Sequence, residues 1–544
     1  MGAKFANIQI QCNDVESVRA QCPQYTVTAL AEGWITVLGD AIDWGTAQKE
    51  AKRLSKQLPY SILTVEYFDD DFVELTVYKE GKKAAGHVPA EYESFARSPG
   101  KPKKFIETLN LPSEEEKTLK AIFQERSPEL CVHLMESLLG CVLWVDEESL
   151  IYAKPLGRDY LEEYLSRKAE QSKIKNQTKL ALLDEVTGEF DYPITYPIVR
   201  YDNRGWNEKS FWSIAPDGKL HKYLEIDEPG RVDGYRTCVR SDTMTVFSVG
   251  FWGAHNGKHR LCCYTNDGEL LERMENTEHG TVDAGVLNDS ILFWDGLCYD
   301  MREKNILWCL DLGRTDYGIR PPQKVSEDLY AFVYDRMDDQ TACLALLDME
   351  GSIRCSVQFL NARHWSYPII YAGSIYMYHC LDGKTPVLTC YDEMLNERWH
   401  IKVPVERRGM MQLGKPLLDE STGLLYFHIA YNRLAILDIQ KREIIMEREL
   451  RDDEDAYMKE VLPEVGPVML TGDASIEVWD TQLQAISRHR TKGDIAKILR
   501  QDGHCYLLTM KQGVRTSPFA DADKLSVVRL YELMPAKRRE STKQ

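Results

Sequence analysis

Residues 374–403 read SIYMYHCLDGKTPVLTCYDEMLNERWHIKV, and this stretch decides the fold. It contains two apolar runs, SIYMYHC and PVLTCYD, then a polar turn that begins at Asp392, and a weaker last run, RWHIKV. A further short apolar run precedes it. Apolar runs of this length, rich in aromatic residues and separated by short polar turns, predict β-strands in an antiparallel arrangement. The stretch therefore predicts one unit of four strands.

The same phrase recurs along the chain, with an Asp at the end of the third run of each unit. The spacings between successive Asp residues are 50, 33, 48, 44, 46 and 42 residues, and the anchors are Asp217, Asp267, Asp300, Asp348, Asp392, Asp438 and Asp480. A repeat near 44 residues is typical of β-propeller blades. A last unit has Tyr531 in place of the Asp. The sequence thus predicts a mainly β chain with a seven- or eight-bladed propeller over 186–535, seven if the short unit at Asp300 merges with a neighbour.

The anchor phrase is similar to the repeat of quinoprotein-like propellers, in which a strand ends in Asp and a Trp follows. Asp300 with Trp308, and Asp392 with Trp399, match it best, while Trp479-Asp480 also fits WD40-type propellers. The resemblance implies a propeller over 186–535 but does not imply a bound quinone cofactor. Cys262-Cys263 is the one vicinal cysteine pair in the sequence that could be considered for contact with such a cofactor. Because neighbouring side chains on a strand point to opposite faces, we expect no cofactor there.

The first part of the chain has a different texture. Residues 1–92 predict a small α/β domain of order β-α-β-α-β-β, with helices on one face of the sheet and an amphipathic helix over 46–58. Residues 93–180 predict a helical segment and linker, in which Ser113 with Glu116 forms a capping box and Ser127 begins another helix. Cys141–Val145 and Leu150–Ala153 suggest a hairpin. Residues 536–544 form a basic tail.

Composition limits the possible partners. The formal charge of −18 disfavours nucleic acid as the main partner, although local basic patches stay possible. No apolar run is long enough for a membrane-spanning helix, and no signal peptide is recognised at the start. The 14 cysteines lie mostly in strand-like runs, which predicts reduced thiols in a cytoplasmic protein.

Several short motifs predict turns more strongly than chemistry. The anchor Asp residues are expected to accept backbone N–H groups in turns, not to bind metal. His255 and His259 have a zinc-like spacing but lie among glycines, and Gly383-Lys384-Thr385 lacks the upstream glycine and the helix of a phosphate loop. The acidic runs 69–71 and 452–455 lack the rest of a calcium loop. We therefore predict no metal site and no catalytic residue.

The connections that lead into the first strand of each unit carry Arg, His and aromatic residues, which stand out in so acidic a chain. In a propeller this position lines one mouth of the central channel, and Arg and Trp are enriched where proteins bind partners. The alternative is that these residues only cover neighbouring backbone. The predicted partner-binding residues are Arg236, His279, Arg320, Arg363, His364, Trp365 and Arg407, with Tyr235 and Arg408 beside them.

Three functions fit these patterns. The first is a non-enzymatic interaction or scaffold protein that binds a protein partner at the propeller mouth, while the N-terminal domain binds a second partner or self-associates. The second is a hydrolase or lyase whose site lies in the channel, which requires acidic, His or Arg side chains from several blades to converge. The third is an acidic immunity or regulatory protein that neutralises a basic partner.

Overall fold

The computed structural model describes two compact units of the chain. The first is Met1–Ile174 and the second is Lys175–Met510 with Ser526–Gln544. The residues it describes are 3–68, 72–89, 97–188, 193–194, 198–201, 208–215, 218–227, 232–240, 244–251, 259–265, 267, 269–276, 284–287, 291–294, 297–310, 322–336, 341–360, 368–381, 385–403, 416–430, 432–450, 456–472, 474–501, 503–511 and 526–536.

The first unit is built on a six-stranded antiparallel sheet in the order β2-β3-β1-β4-β5-β6. Its central strand, β1, pairs with β3 on one side and with β4 on the other. Residues 26–38 form a hairpin, because Gly33 adopts a positive φ of 78° and reverses the chain. The strands are β1 Lys4–Ile10, β2 Thr26–Ala31, β3 Trp34–Leu38, β4 Ile62–Phe68, β5 Phe72–Lys79 and β6 Lys82–His87.

Helices cover both faces of this sheet: the two helices within residues 1–92 pack on one face, as predicted for that segment, and the helices after residue 100 cover the other. Alternate residues of each strand enter two separate cores. Ile8, Ile10 and Ile62 pack with α1 and α2, whereas Val65 and Leu75 pack with the later helices. The helices are α1 Val15–Gln21, α2 Thr46–Gln57, α3 Pro102–Thr108, α4 Glu116–Ile122, α5 Pro128–Leu139 and α6 Arg158–Gln171, with short 3₁₀ turns at Ser113–Glu115 and Leu150–Tyr152. The segments predicted as an α/β domain and a helical segment therefore share one core.

The helix predictions have mixed outcomes. Helix α2 is confirmed with its buried apolar stripe, and α5 begins at Ser127, whose side chain accepts a hydrogen bond from the Leu130 amide. The capping box at Ser113 is wrong. A 3₁₀ turn occupies 113–115 and no side chain caps it, because α4 begins only at Glu116.

The hairpin predicted over 141–153 is also wrong, because side chains take the place of a partner strand. The Glu136 carboxylate accepts from the Leu143 and Trp144 amides at 2.7 and 3.0 Å. The Asn7 amide donates to the carbonyls of Leu143 and Val145 at 2.8 and 3.0 Å. Because these backbone groups already have hydrogen-bond partners, residues 143–145 do not have to pair with a second strand.

Within its described residues, the second unit forms a series of eight four-stranded antiparallel sheets. In the first seven, four consecutive strands form each sheet in chain order. Their strands are β8 Pro193–Ile194, β9 Ile198–Tyr201, β10 Glu208–Ile214, β11 Leu220–Asp227; β12 Val232–Arg240, β13 Met244–Phe251, β14 His259–Thr265, β15 Leu270–Asn276; β16 Ala284–Val286, β17 Ile291–Trp294, β18 Leu297–Asp300, β19 Asn305–Cys309; β20 Gln323–Ser326, β21 Leu329–Arg336, β22 Thr341–Asp348, β23 Ile353–Leu360; β24 Ile369–Tyr371, β25 Ser374–Leu381, β26 Thr385–Tyr391, β27 Glu397–Lys402; β28 Leu417–Asp419, β29 Leu424–Ala430, β30 Arg433–Asp438, β31 Glu443–Glu449; and β32 Tyr457–Leu462, β33 Gly466–Leu470, β34 Ser475–Trp479, β35 Ala485–Arg490.

The eighth sheet joins the two ends of the second unit. It consists of β36 Asp494–Gln501, β37 His504–Lys511, β38 Ser526–Pro535 and, as its fourth strand, β7 Thr178–Gly188. The unit with Tyr531 is therefore a complete sheet, and the short unit at Asp300 is a sheet of its own. Just before β7, the hydroxyl of buried Ser487 accepts from the Gln177 and Thr178 amides, both at 2.8 Å. First strands of successive sheets contact one another, among them β28 with β32 and β32 with β36.

The anchor Asp residues cap turns, as predicted, at five positions. Asp392 accepts from the Met394 and Asn396 amides, both at 2.9 Å, and Asp480 accepts from the Gln482 and Gln484 amides at 2.9 and 3.0 Å. Equivalent bonds are made by Asp300, Asp348 and Asp438. For Asp267, whose two neighbours are not described, the described residues show no such bond, and Asp217 lies outside them. Turns after Asp392 and Asp480 also place Leu395 and Leu483 at positive φ. The repeat therefore encodes a turn geometry.

A Trp that follows an anchor Asp links one sheet to the next. Trp308 of β19 donates its indole N–H to the Met349 carbonyl at 3.0 Å, in the turn that begins at Asp348. Gly351 of that turn leaves room for the ring, since a methyl group there would lie 2.4 Å from two ring carbons. Trp399 has a weaker counterpart, with the Arg442 guanidinium 5.6 Å from its ring centre.

Candidate functional site

Most of the predicted partner-binding residues lie outside the described residues. These are His279, Arg320, Arg363, His364, Trp365 and Arg407, together with Arg408. Arg236 lies within strand β12 and not in the connection before it. The register of β12 against β13 shifts between Tyr235 and Cys238, so Arg236 lies at a β-bulge in the first strand of its sheet.

The strand order fixes which sheet end these connections leave from. Consecutive antiparallel strands reverse direction, so a fourth strand finishes at the same end as the link between its second and third strands. Strands β19, β23 and β27 finish at this end, and five of the predicted partner-binding residues follow them in the sequence. The turns of the anchor Asp residues join third and fourth strands and therefore lie at the opposite end.

The first unit contains a pocket of about 450 Å³ beside the edge strand β6. Its walls are small residues and main chain, because Ala84, Ala85, Gly86 and Gly100 contribute little side chain. Gly100 has a φ of 70°, and a methyl group there would meet the Phe123 ring at 2.9 Å and the Gly86 carbonyl at 3.0 Å. The pocket is lined by Glu74, Lys83, Ala84, Ala85, Gly86, His87, Val88, Ser98, Pro99, Gly100 and Lys101.

A single β-bridge closes one end of this pocket. Val88 and Ser98 exchange both backbone hydrogen bonds, at 3.0 and 3.2 Å. Because N–H and C=O groups alternate sides along a strand, those of Gly86 point the same way as those of Val88, away from β5. No hydrogen bond to the Gly86 amide or carbonyl from this side is found among the residues described. The ladder therefore stops where the pocket begins.

The rim of the pocket is cationic. Lys83 pairs at 2.9 Å with Glu74, which is the one carboxylate among the described lining residues. Lys101 is exposed and has no ion pair with any residue that the structure describes. Lys82, Lys103 and Lys104 are also exposed on the flanking segments and are equally without an ion pair in the described part of the chain. This concentration of positive charge contrasts with the net charge of −18.

His87 fixes the pocket floor and is fully buried. Its Nδ1 lies 2.9 Å from the Ser98 carbonyl, so Nδ1 carries the proton and donates. The ring stacks on Phe123 with centres 3.9 Å apart, and no hydrogen-bond partner of Nε2 is found among the described residues. Burial lowers the pKa of His87 from 6.5 to about 4, because a charged imidazolium would lose its hydration.

The motifs considered for metals and cofactors gain no support from the described residues. Among these residues, no group of three or more His, Cys, Asp or Glu side chains could hold a metal ion. Cys262 and Cys263 are both buried within β14, and burial raises the pKa of the Cys263 thiol. The runs 69–71 and 452–455, His255 and Gly383-Lys384 lie outside the described residues. No helix in the described ranges is long and apolar enough to cross a membrane.

Sequence reasoning missed the pocket of the first unit. The available signal was the clustering of cations in KEGKK at 79–83 and RSPGKPKK at 97–104 within an acidic chain. The pairing of Val88 with Ser98 and the bond between His87 and the Ser98 carbonyl bring these two segments together, and neither is visible in the sequence.

The chain is similar to solved β-propeller structures at low sequence identity. BamB from Moraxella catarrhalis is 13% identical, with a TM-score of 0.40 over 65% of this chain and 97% of BamB. Saccharomyces cerevisiae Sqt1 is 9% identical, with a TM-score of 0.42 over 65% and 97%. The C-terminal WD40 domain of Sif2 is 8% identical, with a TM-score of 0.40 over 66% and 98%. No protein-family model matches the sequence, and no curated protein is similar to it.

Proposed function

We propose that the chain is a non-enzymatic interaction protein whose eight sheets are the blades of a β-propeller. A protein partner binds at the end of the sheets from which the connections after β19, β23 and β27 leave. The observation that carries this proposal is the direction of the strands: β19, β23 and β27 all finish at the equivalent end of their sheets, and Arg320, Arg363, Trp365 and Arg407 follow them in the sequence. Arg and Trp are the residues that most often dominate binding energy in protein interfaces.

The rigidity of the sheets supports the same proposal. Turn caps such as Asp348 and Asp392 fix each sheet, Trp308 fixes one sheet against the next, and β7 completes the eighth sheet. Loops on a rigid scaffold lose little entropy on binding and are the usual carriers of recognition. The acidic chain disfavours nucleic acid as partner, and we place the protein in the cytoplasm, which cell fractionation tests.

The experiment is quantitative affinity purification from the native cell, with partners identified by mass spectrometry. The test variant combines Arg320→Ala with Trp365→Ala. Met394→Ala is the matched control, because Met394 is 65% exposed in a turn at the opposite sheet end. The proposal predicts that the double variant loses a partner that the control retains. Equal recovery by both variants would rule out this binding end.

A further inference from the structure

We propose that strand β19, the outer edge of the third sheet of the second unit, binds an extended, uncharged apolar segment of a protein partner as an added strand. This site goes beyond the proposed function, because it lies along the edge of one sheet and not at the sheet end that carries the connections. The variants that test the two sites are different, so either can fail without the other.

Strand β19 lacks the charges that protect the other outer strands. It is the fourth strand of its sheet, and its sequence, NILWC, contains no charged residue. Each of the other seven fourth strands contains at least one, namely β7, β11, β15, β23, β27, β31 and β35. Charged side chains on an edge strand discourage pairing with other chains. The register shift at Leu307 recurs in sheets with charged edges, so the missing charge is what distinguishes β19.

The apolar side chains of β19 are open to solvent. Ile306 is 57% exposed and Leu307 is 41% exposed, and Asn305 and Cys309 at the two ends of the strand are exposed as well. Within the described part of the chain, β18 is the one segment that forms backbone hydrogen bonds with β19. An extended peptide can therefore bond along the outer edge and cover both apolar side chains, which is the binding mode known as strand addition.

The lack of charge also determines which segment binds. A charged side chain on the added strand would lose hydration beside Ile306 and Leu307 and would find no opposite charge in β19. An uncharged apolar strand avoids this loss and gains buried surface. A second copy of the chain fits less well, because self-pairing would join two rigid units through five residues each, whereas stable interfaces use about 20–30 residues a side. The edge therefore selects an apolar segment of another protein.

Strand β19 is held in place before a partner binds. The Asp300 carboxylate accepts from the Arg302 and Glu303 amides at 2.8 and 3.2 Å, which fixes the turn before the strand. Near the other end of the strand, the Trp308 indole donates to the Met349 carbonyl of the fourth sheet at 3.0 Å. Binding does not have to order this edge, and its entropic cost is correspondingly low.

The test uses the full chain and a fluorescein-labelled peptide of alternating Val and Thr, with binding followed by fluorescence anisotropy. We expect saturable binding that falls about tenfold or more in Ile306→Lys, because the added strand would then bury a charge. Leu270→Lys is the matched control and should leave the affinity unchanged. Leu270 is 39% exposed and lies opposite Tyr264 in the outer strand of the second sheet, as Ile306 lies opposite Tyr299. Circular dichroism verifies that both variants are folded.

A second peptide separates strand addition from simple apolar adhesion. Successive backbone N–H groups of a strand point to opposite sides, so methylating the nitrogens of two successive central residues removes a donor from each edge of the peptide. We expect this peptide to bind about tenfold more weakly or less. Equal binding of the two peptides would overturn strand addition, and absent binding or an unchanged affinity in Ile306→Lys would overturn the site. A dimer of the original chain in light scattering that Ile306→Lys abolishes would assign the edge to a second copy and overturn the partner segment.

Discussion

The buried His87 should make the stability of the first unit depend on pH. Its pKa is lowered from 6.5 to about 4 in the folded chain, mainly by burial. Between these values the unfolded chain binds a proton that the folded chain does not. The stabilisation is therefore complete above about pH 6.5 and is lost as the pH falls towards 4. At about 1.4 kcal/mol for each unit of pKa, the loss is roughly 3 kcal/mol.

His87→Phe isolates this effect. The variant keeps an aromatic ring against Phe123 and removes the titrating group. The Ser98 carbonyl stays satisfied, because the Val88 amide also donates to it at 3.0 Å. Other titrating groups, such as buried Glu66 and Glu136, are the same in both proteins. The difference between the two proteins therefore reports on His87 alone.

The assay is hydrogen exchange with mass spectrometry on the full chain between pH 4 and 7, corrected for the intrinsic exchange rate. Peptides from 62–68 and 72–79 report on opening of the first unit. We expect their opening free energy to fall by roughly 3 kcal/mol more in the original chain than in His87→Phe as the pH drops. Peptides from 434–439 in the second unit serve as the internal control. Parallel pH profiles for the two proteins would refute the account of His87.

Three further predictions concern the second unit, each measured by urea unfolding of the full chain with variant and original compared. Asp348→Ala removes the acceptor of the Ser352 amide and the ion-pair partner of Arg354, and should lower the free energy of unfolding by about 1–2 kcal/mol. Asp348→Asn keeps an acceptor and should lower it less, so equal losses in the two variants would contradict the turn-cap role. Gly351→Ala should lower the free energy of unfolding by more than about 1 kcal/mol, and by less when Trp308 is also replaced by Ala, because the clash with the ring is then absent. If the two losses simply add, the Trp308 ring does not pack against Gly351. Ser487→Ala removes the only acceptor found for the Thr178 amide in the described chain, while the Gln177 amide keeps its bond to the Ile486 carbonyl, so the free energy of unfolding should fall by about 1–3 kcal/mol. No change in stability would contradict a role of Ser487 in holding the start of β7.

The sequence predicted the repeat well because the repeat is local. The apolar runs, the anchor Asp and the turn lie within about 45 residues, so alternation and turn chemistry suffice to place a unit such as β24 to β27. The fourth strand of the last sheet could not be placed in this way. Strand β7 pairs with β38 from the other end of the unit, and Pro535 lies opposite Thr178. Pairing over that distance leaves no local pattern.

The first unit shows the same limit at its pocket. Helix α2 can be predicted from the spacing of its apolar residues. The conformation of residues 143–145 cannot, because hydrogen bonds with the distant side chains of Asn7 and Glu136 hold it, and no sequence pattern indicates these contacts. The pocket forms because the pairing between the end of β6 and the segment at Ser98 stops after one bridge. This depends on how the sheet is assembled and cannot be predicted from the residues of β6 alone. The predicted residues at the sheet ends, including Arg320 and Trp365, remain predictions.

The central claim is that a protein partner binds the sheet end that carries the connections after β19, β23 and β27. The most direct measurement is hydrogen exchange on the complex recovered from the native cell, compared with the free chain. The account predicts protection in 310–322, 361–368 and 403–416, and none in the anchor turns at 392–396 and 480–484. Protection confined to those anchor turns would contradict it.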